Sequence, residues 1–156
     1  MFVTTTPAFD ALIGTRKPDL LRQPVQAIKA AISQLPQYEP ETDHHFHAGM
    51  YCRVVKRCKG ALIVGKVHKQ EHLYVVMSGT VAVSQEGEPA KQITGPAVIK
   101  SYPGTQRAVL ALTDAVCMTV HITDAKTVEE AEAELVEHDQ TSKFDAFNRV
   151  KCEVLK

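Results

Sequence analysis

Between residues 51 and 123 the chain is a succession of short runs rich in Val, Ile, Thr and Tyr, and this constrains the fold more than any other feature. The runs fall at 51–56, 62–67, 73–77, 80–84, 97–101, 107–112 and 116–123. Lys59-Gly60, Ser78-Gly79, Glu86-Gly87-Glu88-Pro89, Pro103-Gly104 and Thr113-Asp114 separate them. β-Branched and aromatic side chains suit a pleated surface, whereas Gly, Pro and Asp supply the backbone angles of tight turns. Short strands at this spacing indicate an all-β core, a sandwich or barrel.

The flanks read differently. Residues 1–18 contain repeated Thr with Pro7 and Pro18, and predict an extended N-terminal arm. Over 19–35, Leu20, Leu21, Val25, Ile28, Ala31, Ile32 and Leu35 recur at helical spacing, and Pro36 and Pro40 stop the helix. Thr127 followed by Glu130 makes a capping box, with Val128, Ala131, Leu135 and Val136 as the buried stripe of a second helix. Phe144, Phe147, Val150 and Leu155 suggest another helix in the tail. The expected organisation is an arm (1–18), a helix and lead-in (19–47), a barrel (48–124) and a C-terminal helical segment (125–156).

Composition narrows the partners. A chain of 156 residues that is 44% hydrophobic is long enough for one well-buried core. Eighteen basic and eighteen acidic side chains balance, so no general electrostatic grip on nucleic acid or an anionic membrane is expected. No run approaches the roughly 20 apolar residues of a membrane helix, and residues 1–10 lack the basic and apolar regions of a signal peptide. Cys52, Cys58, Cys117 and Cys152 form no Cys-x-x-Cys pair. They read as reduced thiols of a cytoplasmic protein, with a disulfide as the alternative.

One segment carries a more specific pattern. Gly60-x5-Lys66-x-His68-x3-His72-x6-Gly79 keeps the spacing of the first motif of the cupin superfamily, which is Gly, five residues, His-x-His, three residues, Glu, six residues, Gly. Gly95 to Arg107 resembles the second cupin motif with one extra residue, Gly104 taking the turn glycine and Arg107 the place of the last His. The resemblance covers about residues 48–123 and implies a cupin-like jelly roll (double-stranded β-helix) carrying an N-terminal helix and a C-terminal helical segment. A narrower resemblance runs through Leu35-Pro36-Gln37, His44-His45-Phe46, Gly49-x-Tyr51-x-Arg53, Gly65-Lys66-Val67-His68-Lys69, Pro103-Gly104-Thr105-x-Arg107-Ala108 and Thr119-Val120-His121. That succession is similar to small cupins encoded by tailed bacteriophages and prophages, and implies a role in the virion or its assembly.

In cupins the motif positions face inward, and three His with one Glu hold a divalent metal. Here Lys66, His68, His72 and Arg107 occupy those places, and charged Lys and Arg repel a cation rather than ligate it. No cofactor is therefore expected from the ordinary ligand set. Three alternatives remain at the same residues. His68 and His72, four apart on an unbroken strand, share a face, and His121 joins them if its strand lies alongside; such a set suits Zn, Mn, Fe or Ni. Lys66, His68, His72 and Arg107 can instead form a pocket for an anionic small molecule, with Arg as a bidentate fork. The plainest alternative is a hydrogen-bonded polar network inside the barrel. Glu71 falls on the opposite strand face.

Other polar groups read as structural. His44, His45 and His47 form a polar loop entering the first strand, although His45 and His47 share a face if extended. His138 is a surface residue near a helix end, and the acids over 129–137 form a solvated helix face. Tyr51, Tyr74 and Tyr102 pack around the barrel with their hydroxyls at its rim.

Three functions compete: a virion structural or assembly protein, a metal-dependent enzyme such as an isomerase, epimerase or oxygenase, and a binding module for an anionic metabolite. Loss of the usual ligands favours the first, a non-catalytic oligomer that meets other virion proteins in the producing cell's cytoplasm or the virion. No catalytic residue is assigned, because no nucleophile–base pair is recognisable.

Overall fold

In the computed structural model, residues 2–3, 23–85 and 88–151 are described. Among them, ten strands form two five-stranded antiparallel sheets, in keeping with the all-β sandwich or barrel read from the strand pattern and with the jelly roll that the cupin resemblance implies. In chain order they are β1 (Phe2–Val3), β2 (Thr42–His47), β3 (Met50–Arg57), β4 (Leu62–Val64), β5 (His72–Ser78), β6 (Thr80–Gln85), β7 (Glu88–Thr94), β8 (Ala97–Ser101), β9 (Arg107–Ala111) and β10 (Ala115–Ile122). One sheet runs β1-β4-β9-β6-β7 and the other β2-β3-β10-β5-β8. Among the described residues the helices are α1 (Val25–Ser33) and α2 (Val128–Leu135).

Sheet position explains the sequence of each strand. β9 is buried at every residue because it has neighbours on both faces. Val109 packs inward against Val76, Val81 and Val83, while Ala108 and Leu110 point outward beneath α1. The helix seals that outer face with Val25, Ile28 and Ile32. Each such fully buried side chain contributes about 1.5–3 kcal/mol of transfer free energy. A strand enclosed on both faces reads as a continuous apolar run, as 108–112 does.

Several boundaries differ from the sequence reading. α1 begins at Val25 behind Pro24, and residues 19–22 lie outside the described residues, as does the arm apart from 2–3. β2 replaces the expected loop at 44–47 and forms an edge of the second sheet from Thr42. β7, which was not anticipated, is an edge strand with only Ile93 partly buried, so it lacks the apolar alternation that signals a strand. Over 142–151 the tail is a turn structure closed by a bridge between Phe144 and Val150, not a helix. Asp145 holds that turn by accepting from the Phe147 and Arg149 backbone N–H groups. Leu155 and Cys152 lie outside the described residues, while Cys52, Cys58 and Cys117 are free thiols.

The capping box forms as expected at α2. Thr127 Oγ1 accepts from the Glu130 N–H at 3.2 Å, and the Glu130 carboxylate reaches back to the Lys126 N–H at 2.8 Å. Among the described residues no helix is long and apolar enough to cross a membrane.

Gly79, the last glycine of the 60–79 pattern, turns β5 into β6 at φ +79°. A Cβ there would stand 2.2 Å from the Asp114 carbonyl oxygen and 2.8 Å from Ala115. Gly79→Ala is therefore expected to destabilise the fold by at least about 2 kcal/mol in urea denaturation, from left-handed backbone strain plus backbone overlap. A change under about 0.5 kcal/mol would contradict this packing.

Candidate functional site

β10 lies between β3 and β5, and its register assembles one end of the barrel interior. His121 stands opposite Tyr51, and Val120 opposite Leu73, so His72 is the next residue along β5 beside His121. Alternation turns Tyr51, His121 and His72 inward together. His68 arrives by a different route from the one expected. It does not share a strand with His72, which is the first residue of β5. Instead His68 forms an isolated antiparallel bridge with Val136, just beyond α2. Its N–H donates to the Thr105 carbonyl at 3.1 Å, and its own carbonyl accepts from the Gly104 N–H at 2.7 Å.

These routes converge. One ligand nitrogen from each of His68, His72 and His121 lies within 4.8 Å of the others, the single such group among the described residues. Ring centroids are 4.0 Å apart for His68–His72, 4.7 Å for His72–His121 and 5.2 Å for His68–His121. His72 Nδ1 is 3.2 Å from the Gln70 carbonyl oxygen, which makes Nδ1 the protonated nitrogen and leaves a lone pair on Nε2. That Nε2, with His68 Nδ1 and His121 Nδ1, is buried without a hydrogen-bond partner.

The three rings are held neutral. Burial drives His68 down to about 2, and the neighbouring imidazoles push the same way. Burial likewise takes His121 to about 3, helped by His72 and Arg53. His72 is lowered chiefly by burial, against the opposing hydrogen bond to Gln70.

The cations around the rings are distributed unequally. Lys66 and Arg53 share one carboxylate, that of Glu132 on α2, with Arg53 Nη2 at 2.9 Å. Glu132 is thus a half-buried counter-ion rather than part of the solvated acidic face expected at 129–137. Arg53 Nε also donates to the Tyr51 hydroxyl at 3.0 Å, which His44 Nδ1 meets at 2.8 Å. Arg107 donates from Nη1 to Ser101 Oγ at 2.8 Å, and its guanidinium lies 5.3 Å from the centre of the Tyr74 ring.

Lys66, His68, His72 and Arg107, the four motif positions, line one cavity of about 100 Å³. Sequence reasoning missed Arg57 and Tyr74, which face the same space. The signal was present: Tyr51, Arg53, Val55 and Arg57 alternate along β3 and so share its inner face. Of the remaining histidines, His44 packs against Tyr51, while His45, His47 and His138 are exposed and join no ligand group among the described residues. Tyr51 and Tyr74 are buried rather than placed at the rim; Tyr102 is exposed.

No family model matches the chain, and no curated protein does. Solved structures of cupins are similar to it in fold. A cupin superfamily protein from Desulfitobacterium hafniense aligns with TM-score 0.48 and 8% identity, covering 61% of this chain and 87% of its own. KdgF from a Halomonas species gives 0.49 and 17%, covering 59% and 87%. A predicted oxalate decarboxylase from Thermotoga maritima gives 0.48 and 17%, covering 56% and 83%. At such identities the chemistry has to be taken from this chain's own side chains.

Neutral burial of the imidazoles has a pH consequence. Their folded pKa values lie below the ordinary value of about 6.5, so the unfolded chain binds protons first as pH falls. Metal-free protein is expected to lose stability from about pH 6.5 downward, by up to about 1.4 kcal/mol per pH unit for each imidazole. Denaturation midpoints between pH 7 and 4 test this. The slope lessens in His121→Gln; an identical slope in that variant would contradict the assignment.

Proposed function

We propose that the protein binds a divalent transition metal through His68, His72 and His121 and presents it to a small anionic molecule in the adjoining cavity. The observation that carries this reading is that three converging imidazoles each hold a buried nitrogen without a hydrogen bond, while one ligand nitrogen from each lies within 4.8 Å of the others. A self-contained polar network is disfavoured on the same ground, because buried polar atoms in such networks are normally paired. Neutral imidazole lone pairs suit Zn, Mn, Fe or Ni, and three ligands leave coordination positions open. A metal bound there supplies a Lewis-acid centre for an oxygen-bearing ligand.

The chain's own residues explain how a dication is tolerated beside Lys66 and Arg107. Glu132 neutralises much of the charge of Lys66 and Arg53, and Arg107 directs one donor to Ser101. The Gln70 carbonyl fixes the His72 tautomer, a standard device for orienting a ligating imidazole. Val136 and Phe144, at the two ends of the strap that follows α2, line the cavity with apolar surface. The site lacks a recognisable nucleophile–base pair, so these residues hold, orient and shield.

The test is metal analysis of the purified chain after reconstitution. About one equivalent of Zn, Mn, Fe or Ni is expected, falling to under about a tenth in both His68→Ala and His121→Ala. Wild-type protein that takes up no divalent metal, or variants that retain it, would sink the reading.

An assembly role, as implied by the phage resemblance, draws on a separate observation. Met50, Leu73, Met77, Val98 and Ile122 are exposed together on the outer face of the second sheet. A second copy of the chain, offering the same flat apolar face, would bury them in an isologous pair. Light scattering is expected to report a dimer or larger oligomer that Val98→Glu with Ile122→Glu converts to monomer. A wild-type monomer at high micromolar concentration argues against assembly.

A further inference from the structure

The cavity beside the three imidazoles holds far more hydrogen-bond donors than acceptors. Arg53, Arg57, Lys66 and Arg107 line it, and no Asp or Glu does. Glu132, outside the cavity wall, answers for Arg53 and Lys66 only. Arg57 is 7% exposed, yet its Nε and Nη1 atoms are buried without a hydrogen-bond partner. The Tyr74 hydroxyl is likewise buried without one, its neighbour the Cys117 thiol being a poor acceptor. Unsatisfied guanidinium donors are among the most costly groups a fold can enclose. Three orphaned donors around one space call for a ligand that brings acceptors.

The walls define the rest of that ligand. Val55, Ile63, Val109 and Phe144 are apolar and buried, and all four face the cavity. A cavity of about 100 Å³ suits a small ligand. We infer that Arg57 binds the carboxylate of a short apolar carboxylic acid, with the Tyr74 hydroxyl as a further donor and the hydrocarbon part against Val55, Ile63, Val109 and Phe144. Arg57 Nε–H and Nη1–H lie on different sides of the planar guanidinium, and each can donate to a carboxylate oxygen. Arg57 lies at the end of β3 away from Tyr51, whereas His121 is opposite Tyr51. The acid's far end is therefore directed toward His68 and His72. That orientation rests on the metal reading above; recognition of the carboxylate by Arg57 does not.

The experiment uses the full-length chain, both metal-free and metal-loaded, with calorimetry and thermal melts. The probes are the straight-chain acids from acetate to hexanoate, butyramide as a neutral control, and inorganic phosphate. At least one acid is expected to bind saturably and raise Tm in both forms, while butyramide and phosphate do not. Arg57→Met weakens that acid by about tenfold or more. The same variant without ligand melts at or above the wild-type Tm, because an apolar chain replaces an unpaired buried charge. Arg57→Lys, which keeps the charge but loses the planar fork, also weakens binding. Failure of every acid to bind, binding of phosphate alone, or unchanged affinity in Arg57→Met overturns the inference. So does a lowered Tm in Arg57→Met together with full binding in Arg57→Lys, which would make Arg57 structural. Metal uptake without acid binding sinks this site alone, and acid binding without metal uptake sinks only the metal reading.

Discussion

The antiparallel pairing of β10 with both β3 and β5 is the constraint from which the interior follows. Because side chains alternate, one register decides which residues of three strands meet inside. It stacks Tyr51 with His121 and His72, then Arg53 with Thr119 and Tyr74, then Val55 with Cys117 and Val76. Polar residues are thereby gathered toward one end and apolar ones toward the middle. A slip of one residue along β10 would send His121 to the outer face and put Ile122 inside. Apolar packing of Val76, Val81, Val83, Val109 and Cys117 between the sheets holds that register, so the core of the barrel also fixes the position of the imidazoles.

The electrostatics of the interior are unbalanced in a way that purely structural barrels avoid. Neutral histidines surrounded by guanidinium groups cost desolvation without returning hydrogen bonds. Among the described residues one carboxylate, that of Glu132, offsets two of the cations, and it is contributed by a helix outside the sheets. Natural folds tolerate such local deficits chiefly where a ligand supplies what is missing. A bound anion would offset the positive charge that the guanidinium groups and a metal bring to the interior.

Much of this was legible in the sequence. The alternating runs and turn residues predicted an all-β sandwich or barrel, the cupin resemblance implied the jelly roll, and its two motifs located Lys66, His68, His72 and Arg107, which line the cavity. His121 was legible too, since it ends a strand whose partners can be guessed. What the sequence could not convey were contacts between elements far apart along the chain. Glu132 read as a solvated acid because helical periodicity says nothing about a cation 66 or 79 residues away. Edge strands β2 and β7 escaped detection because a strand with one neighbour and little burial has no need of apolar alternation. Arg57 was overlooked because a cation in a strand is ordinarily solvated, and its inward direction follows only once Tyr51 and Val55 are known to be inside.

His68 is held unlike its two companions. His72 and His121 sit in strands paired on both sides, but His68 owes its place to backbone bonds with residues 104 and 105 and to the 135–137 segment. Lys69 donates to the Leu135 carbonyl, and Glu137 donates to the Val67 carbonyl, each at 2.9 Å. The loop that delivers one imidazole and the strap that roofs the cavity are therefore one mechanical piece. Any fluctuation that lifts the roof also loosens one of the three imidazoles, so on the proposed reading the entry of a small molecule and the grip on an ion would share a common hinge.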